Sequence, residues 1–377
     1  MEHRLIISLV TWNSSHYCKQ LFASLRQQTE EKLELLVTDN ASTDDTVLRL
    51  SELLPTLPYP ATLFREKENT GFARAHNHHI REAIRRKARF VLVVNPDCIL
   101  EEHACAILLD AIAHNDRLGS VGGKILRAQF TPLEVSSPAK PDSNDPEGGL
   151  PLREFPTTDG LTTLQKLSTI DSTGLVMTRS RIWRERGYGE SDHGQYREGP
   201  VVGVSGAFVL YRLRALLDVS MRREGHREFF DNDFFSYKED ADLAWRLQWF
   251  GWSSWYTPKA VAWHHRTFGR ERRDRVPAYL RALSWRNHYF LLTKNDDWKN
   301  FLYDAPLIFF RECAKLCWIL LREPRTLQLF PSLIRLWPSM LHKRQWIMRH
   351  RRQSPGAMRQ MFRSFRSSSS TTKQKGS

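Results

Sequence analysis

Phe90-Val91-Leu92-Val93-Val94-Asn95-Pro96-Asp97 decides the fold: five apolar residues in a row, then a polar tripeptide ending in a carboxylate. A continuous apolar run of strand length belongs in a sheet covered on both faces, as parallel sheets are. A carboxylate at the C-terminal edge of such a strand lies where open α/β sheets hold ligands and metals.

The same pattern recurs upstream. Leu5 to Val10 reads as a strand ending in Thr11-Trp12-Asn13, Leu33 to Val37 as a second ending in Thr38-Asp39-Asn40, and Ala61 to Phe64 as a weaker third. Between them Cys18, Leu21, Phe22 and Leu25 share one helical face, and Thr43 is expected to cap a helix turning Val47, Leu50, Leu53 and Leu54 inward. Repeated βα units imply the α/β class, with an open, mostly parallel central sheet flanked by helices. Thr11 and Asn13, Asp39 and Asn40, and Asn95 and Asp97 then converge on one crevice. Asn and Asp also end strands merely as turn formers, but three strands in succession favour the crevice.

Downstream, Ala128 to Pro156 is rich in Pro, Ser, Asp and Gly, as a surface excursion would be. Strand character returns over 171 to 215 around Ser205-Gly206. Trp252 to Tyr256 and Ala260 to Trp263 read as two strands separated by a turn at Pro258, the second leading into His264-His265. Glu239-Asp240 opens a helix in which Leu243, Ala244 and Leu247 follow Asp240 at helical spacing, so Asp240 is expected on the core-directed stripe. A carboxylate kept ionised there by the helix dipole suits a general base. No Gly-x-Gly-x-x-Gly follows the first strand and no Gly-Lys-Ser/Thr occurs, so a bound diphosphate needs another counter-charge. Asp97 could hold Mg²⁺ or Mn²⁺ for that purpose, with a histidine as partner.

With 377 residues, 41% of them hydrophobic, the chain can bury a sizeable core. Of the net charge of +14, residues 300 to 377 carry +12, with 15 Lys/Arg against 3 Asp/Glu. That distribution points to a basic appendage meeting an anionic surface. The five cysteines are odd in number and lack metal spacing, which suits a reducing cytosol. Leu5 to Val10 is too short for a signal-peptide core, and no apolar run approaches the ~20 residues that span a bilayer. The division expected is residues 1–295 as one α/β unit in two halves, about 1–127 with the first strand ends and about 160–295 with the Glu239-Asp240 helix. An amphipathic basic helical extension, 296–365, and a disordered tail, 366–377, follow.

Taken in order, Thr11-Trp12-Asn13, Thr38 to Asp44, Asn69-Thr70-Gly71-Phe72-Ala73-Arg74-Ala75-His76-Asn77, Asn95-Pro96-Asp97, Ser205-Gly206-Ala207, Phe229-Phe230-Asp231 and the Glu239-Asp240 helix resemble the motifs of glycosyltransferase family 2. The resemblance is to its rhamnosyltransferase-like members and covers about residues 3 to 295. It implies a GT-A fold, a nucleotide-diphosphate sugar donor such as dTDP-rhamnose or a UDP-sugar, a divalent metal and inversion at the anomeric carbon. It also implies that the acceptor is a glycan or lipid-linked hydroxyl in cell-surface polysaccharide synthesis. Carried over by position, Asp39 would meet the base, with Thr11, Asn13 and Asn40 nearby. Asn69, Gly71, Phe72 and Asn77 would shape the nucleotide pocket, and Asn95, Ser205 and Gly206 complete the donor site. Asp97 and His264 would bind the metal, and Asp240 would be the base, supported by Glu239. Arg270, Arg272 and Arg273 are expected to close over the diphosphate or to form a solvated loop. Asn95 replaces the first acid of the family's Asp-x-Asp, leaving Asp97 the one anionic group there.

On residues alone two other readings stay open. One is nucleotidyl transfer on the same fold, against which the missing glycine-rich activating loop counts; the other is a noncatalytic basic module, whose tail lacks interleaved stacking aromatics. Nucleic acid is not expected as a partner. The expected location is cytoplasmic and peripheral, at the inner face of the plasma membrane, with Phe301 to Phe365 mixing large apolar and basic residues as an interfacial helix does.

Overall fold

The computed structural model describes residues 5–30, 32–131, 163–266 and 276–363. Most of the Pro-rich excursion, the Arg270 to Arg273 loop and the C-terminal tail lie outside these.

The first half is built as its pattern dictates. Strands β1 (Leu5–Thr11), β2 (Leu33–Asp39), β3 (Ala61–Arg65) and β4 (Phe90–Val94) alternate with helices α1 (Ser15–Arg26), α2 (Thr46–Leu53) and α3 (Gly71–Arg85). β1 pairs in parallel with β2 and β4, and β2 with β3. Successive residues of each strand point to opposite faces, and both faces are covered. Ile6, Leu36, Val91 and Val93 enter one core cluster, while Leu5, Ile7, Leu35, Val37, Leu92 and Val94 enter the other. That two-sided burial is why the strands read as unbroken apolar runs. Thr43 does not cap α2. Asp44 does that work, accepting from Thr46 N at 3.0 Å, and Leu50, fully buried, is the residue that anchors the helix.

The second half joins by antiparallel steps. After β5 (Cys98–Leu100) and α4 (Ala104–Ala113) come β6 (Leu118–Thr131), β7 (Thr163–Ser172), β8 (Leu175–Met177), β9 (Trp183–Glu185), β10 (Gly199–Val201) and β11 (Phe208–Arg212). β11 lies between β4 and β6, antiparallel to both. Helix α5 (Leu213–Val219), the hairpin β12 (Met221–Arg223) and β13 (His226–Glu228), α6 (Glu239–Trp249) and β14 (Ser253–His264) follow. The sheet order is β10-β14-β6-β11-β4-β1-β2-β3, with four parallel steps. This is a mixed α/β architecture, mostly parallel in its spine. Pro258 makes no turn. β14 runs through it as one strand, with a register shift against β6 between Tyr256 and Val261 absorbing the missing donor.

Helices α7 (Ala278–Asn295), α8 (Trp298–Arg322), α9 (Phe330–His350) and α10 (Pro355–Arg363) complete the described chain. Leu333, Met340, Ile347, Met358 and Phe362 from the last two join the same cluster as α6. Lys343 of α9 reaches Asp231 at 2.5 Å, so the C-terminal helices are tied to the segment before α6 by charge as well as by packing. None of the described helices is long and apolar enough to cross a membrane.

Candidate active site

The C-terminal ends of β1, β2 and β4 do meet at one edge. There the β1 and β2 loops are laced together: Thr11 Oγ1 donates to Asp39 Oδ1 at 3.1 Å, and Asn13 Oδ1 accepts from Thr43 N at 2.8 Å. Asp39 also accepts from Ser42 N and Oγ, so both its oxygens already shape the loop. Asn40 crosses to α3, donating to Gly71 O and accepting from Thr70 Oγ1. Asn69 Oδ1 accepts from Gly71 N, closing the turn into α3.

Two residues from that motif serve the scaffold. Asn77 is fully buried, donates to Phe230 O and Asn232 Oδ1, and accepts from Phe229 N and Phe230 N; it stitches α3 to the segment before α6 and presents no group to the crevice. Gly71 has φ +81°, and a Cβ there would come within 2.6 Å of Phe235. Its absence lets the Phe235 backbone settle against α3, where Phe235 O accepts from Ala73 N.

Phe235 begins a strained entry to α6. Phe235, Tyr237 and Lys238 all have positive φ, rare for non-glycine residues. Phe235, at φ 63° and ψ −65°, is the centre of a γ-turn in which Ser236 N donates to Phe234 O at 2.7 Å. Asn287 of α7 holds this backbone, its Nδ2 donating to the carbonyls of Phe234, Ser236 and Tyr237 at 2.8 Å each. Strain of this kind persists only where surroundings over-determine it, and it collects at functional sites.

The loop delivers Glu239 and Asp240 differently. Glu239 is buried, and its Oε2 has no hydrogen-bond partner; burial first, then the neighbouring Asp240 charge, push its carboxyl well above the usual range. Asp240 is half-buried, accepting from Gly206 N at 3.1 Å and Ala241 N at 2.7 Å. It is therefore not on a core-directed stripe. α6 is buried on every side, with Asp242 paired to Arg246 and Lys294 inside, and Asp240 occupies the one end that looks into the crevice. Phe72 lies near the same turn, with Cζ 3.6 Å from where a Gly206 Cβ would sit.

Across the crevice Asp97 Oδ1 is buried without a hydrogen bond and makes a 3.2 Å contact with His264 Nε2. The bridge of β14 to β5 puts His264 opposite Cys98, which fixes this approach. His265 points away, its Nδ1 2.8 Å from Tyr17 Oη. Cys98 is also near, but burial pushes its thiol far up and Sγ donates to Ala207 O at 3.3 Å, so it stays protonated. A buried carboxylate oxygen facing an imidazole nitrogen at 3.2 Å is a donor pair that fits Mn²⁺ or Mg²⁺, the imidazole binding in its neutral form and giving up the proton it shares with Asp97. Asn95 bonds through its backbone, donating to Ala207 O and accepting from Cys98 N.

Two carboxylates absent from the sequence reading complete the site. Asp171, at the end of β7, accepts from His264 at 2.9 Å and meets Arg266 at 2.8 Å. Burial opposes its ionisation, but His264 and Arg266 outweigh burial and hold its carboxyl down to about 2. His264 lies between two acids; burial would keep it neutral, and Asp97 and Asp171 overcome that, raising it to about 10. Glu185, on β9, is 3.5 Å from Arg266 and accepts from Ser205 Oγ at 3.0 Å. The contacts thus run unbroken from Asp97 through His264, Asp171, Arg266 and Glu185 to Ser205-Gly206 and Asp240. Asp171 ends a strand as Asp39 does, but an antiparallel one, to which the rule for parallel strand ends does not apply, and Glu185 sits in Arg184-Glu185-Arg186, which reads as a solvated charge run.

Residues 6–187 match the family model described as glycosyl transferase family 2. An N-acetylglucosaminyl-diphospho-decaprenol L-rhamnosyltransferase of Mycobacterium tuberculosis is 25% identical over 321 residues, covering 81% of this chain and 89% of that protein. A poly-beta-1,6-N-acetyl-D-glucosamine synthase of Staphylococcus aureus is 22% identical over 256 residues, 68% of this chain and 48% of its own. Among solved structures, a Pyrobaculum calidifontis mannosyltransferase in complex with GDP-Man and Mn²⁺ is similar at TM-score 0.48 and 15% identity, covering 92% of this chain and 86% of that one.

Proposed function

We infer that this chain, a rhamnosyltransferase-like glycosyltransferase of family 2, moves a sugar from a nucleotide-diphosphate donor to a hydroxyl of a glycan or lipid-linked acceptor, with inversion at the anomeric carbon. The observation that supports it best is the contact chain joining Asp97 and His264 to Asp240. In this reading Asp240 takes the acceptor proton as that oxygen attacks C1 and the bond from C1 to the diphosphate breaks. The Gly206 and Ala241 amides, each donating to one oxygen, aim the Asp240 carboxylate for that step. Asp97 and His264 would hold a divalent cation, which when bound meets the charge growing on the departing diphosphate. Asp171 fixes the His264 ring from its other nitrogen, as carboxylates behind metal-binding histidines do. Thr11, Asn13, Asp39 and Asn40 form the wall for base and ribose, with Asn69, Gly71 and Phe72 beside them; a dTDP-rhamnose-like or UDP donor is the proposal.

The test is a panel of sugar nucleotides, each with Mn²⁺, Mg²⁺ or EDTA, followed for donor hydrolysis and for transfer to a diphospholipid-linked GlcNAc. One donor turned over only with metal supports the reading. Binding of donors with no turnover of any would overturn it.

A further inference from the structure

Helix α8 is built inside out. In a helix on a soluble protein the apolar stripe faces the body and the charges face water. Here the charged residues between 301 and 321 are Asp304, Arg311, Glu312 and Lys315, and none of them is exposed. Asp304 is buried against Arg181 at 2.9 Å, and Glu312 binds His288 and the Tyr289 hydroxyl at 2.8 Å each. Every exposed residue in that stretch is apolar or aromatic, Pro or Cys, with Phe310 at 72% and Leu321 at 81% exposure. Trp318, and on α9 Phe330, Ile334 and Trp337, extend the same surface. An apolar face this large and this continuous marks an interaction site.

We propose that the outer face of α8, with its α9 flank, seats in the boundary between headgroups and acyl chains of an anionic lipid leaflet. Three observations select a membrane over a second copy of the chain. The face is rimmed by exposed Lys299, Arg322, Arg325 and Arg335, cations that complement anionic headgroups and would repel each other across a self-contact. It is rich in Trp and Phe, which favour the interfacial layer. Being the side of a helix held flat by Asp304 and Glu312, and not long enough in apolar terms to cross, it can lie in the surface plane but not span.

The placement rests on the transferase reading for its purpose. His288, which grips α8 through Glu312, follows Asn287, which holds the strained loop before Asp240. One turn of α7 therefore connects the lipid-facing helix to the acceptor side of the crevice, and a lipid-linked hydroxyl would reach the base from the leaflet on which α8 rests.

Cys313 and Cys317 are exposed on this face, and Cys18, Cys98 and Cys105 are buried, so the chain carries its own labelling positions. Full-length Cys313→Ser protein, labelled at Cys317 with a polarity-sensitive fluorophore, is mixed with phosphatidylglycerol or phosphatidylcholine vesicles. Expected are a blue-shifted emission quenched by doxyl-labelled lipid, preference for phosphatidylglycerol, and partial loss in high salt. Phe310→Ser/Leu321→Ser should weaken vesicle sedimentation roughly tenfold or more, with donor hydrolysis unchanged. Equal sedimentation of the variant overturns the proposal, as does a lipid-independent emission shift that tracks dimerisation by light scattering. If donor hydrolysis is absent while vesicle binding behaves as expected, the transferase reading fails and this one stands.

Discussion

Helices α6 and α8 solve opposite problems with the same kind of residue. α6 is enclosed by protein, so Asp242 and Arg246 lie at zero exposure and pair with each other and with Lys294. Between 301 and 321 α8 also directs its charges inward, but its outer face there is uncovered and apolar. A buried charge on either helix signals that a partner was waiting for it, since desolvation alone would forbid it. What distinguishes the two is the medium on the far side. For α6 that is more protein, relieved only at the N-terminus where Asp240 meets the crevice.

The sharpest break in that contrast is at the open end of α6. Asp240→Asn should lower turnover by about 10²–10⁴-fold and leave donor affinity by calorimetry nearly unchanged. Retention of more than a few per cent of activity removes Asp240 as the base. Glu239→Gln should be far milder, because burial already favours the neutral acid that Gln imitates. Inside α6, Asp242→Ala leaves Lys294 and Arg246 short of a carboxylate and should cost about 3–5 kcal/mol in urea unfolding.

Behind Asp97 and His264, the proposed metal ligands, Asp171→Asn should weaken Mn²⁺-dependent donor binding about 10–100-fold, and His264→Ala should do more damage than His265→Ala. If wild-type donor affinity is the same in EDTA, the metal assignment falls. A smaller effect belongs to Glu185. Burial raises its pKa to about 7, opposed by Arg266 and supported by Asp240 and Asp171, and the 15% of the side chain still open to water tempers the rise. The native state then binds a proton that the unfolded chain, at about 4.3, has released, so stability should fall as pH climbs from about 4.3 to 7. Glu185→Gln should flatten that slope in denaturant midpoints. Smallest of all, Leu321→Ser on the outer face of α8 should change stability by within about 0.5 kcal/mol, whereas Ile308→Ala on its inner stripe, 4% exposed, should cost about 2 kcal/mol.

The parallel half of the sheet was readable because a strand covered on both faces writes itself as an apolar run, and the polar residue after it marks the crevice. Thr11, Asp39 and Asp97 lie at the edge that rule marks, and His264 meets Asp97 there. Asn77 belongs to the same motif, yet its amide is used wholly by Phe229, Phe230 and Asn232. Motif membership does not tell a ligand contact from a brace.

By itself the sequence determined the alternation of β1 to β4 with their helices, the edge at which their polar ends gather, and the amphipathic material of the C-terminal region, because hydrophobic period and strand ends are local properties. Tertiary structure alone decided that Asp171 and Glu185 join Asp97 and Asp240, since β7 and β9 reach the crevice only through the antiparallel half, whose pairing no local pattern encodes. It also decided which side of α8 is outside. Helical spacing fixes the angles between Asp304, Glu312 and Leu321, but not which of them meets a partner; Arg181 and His288, distant in sequence, turn the charged side inward.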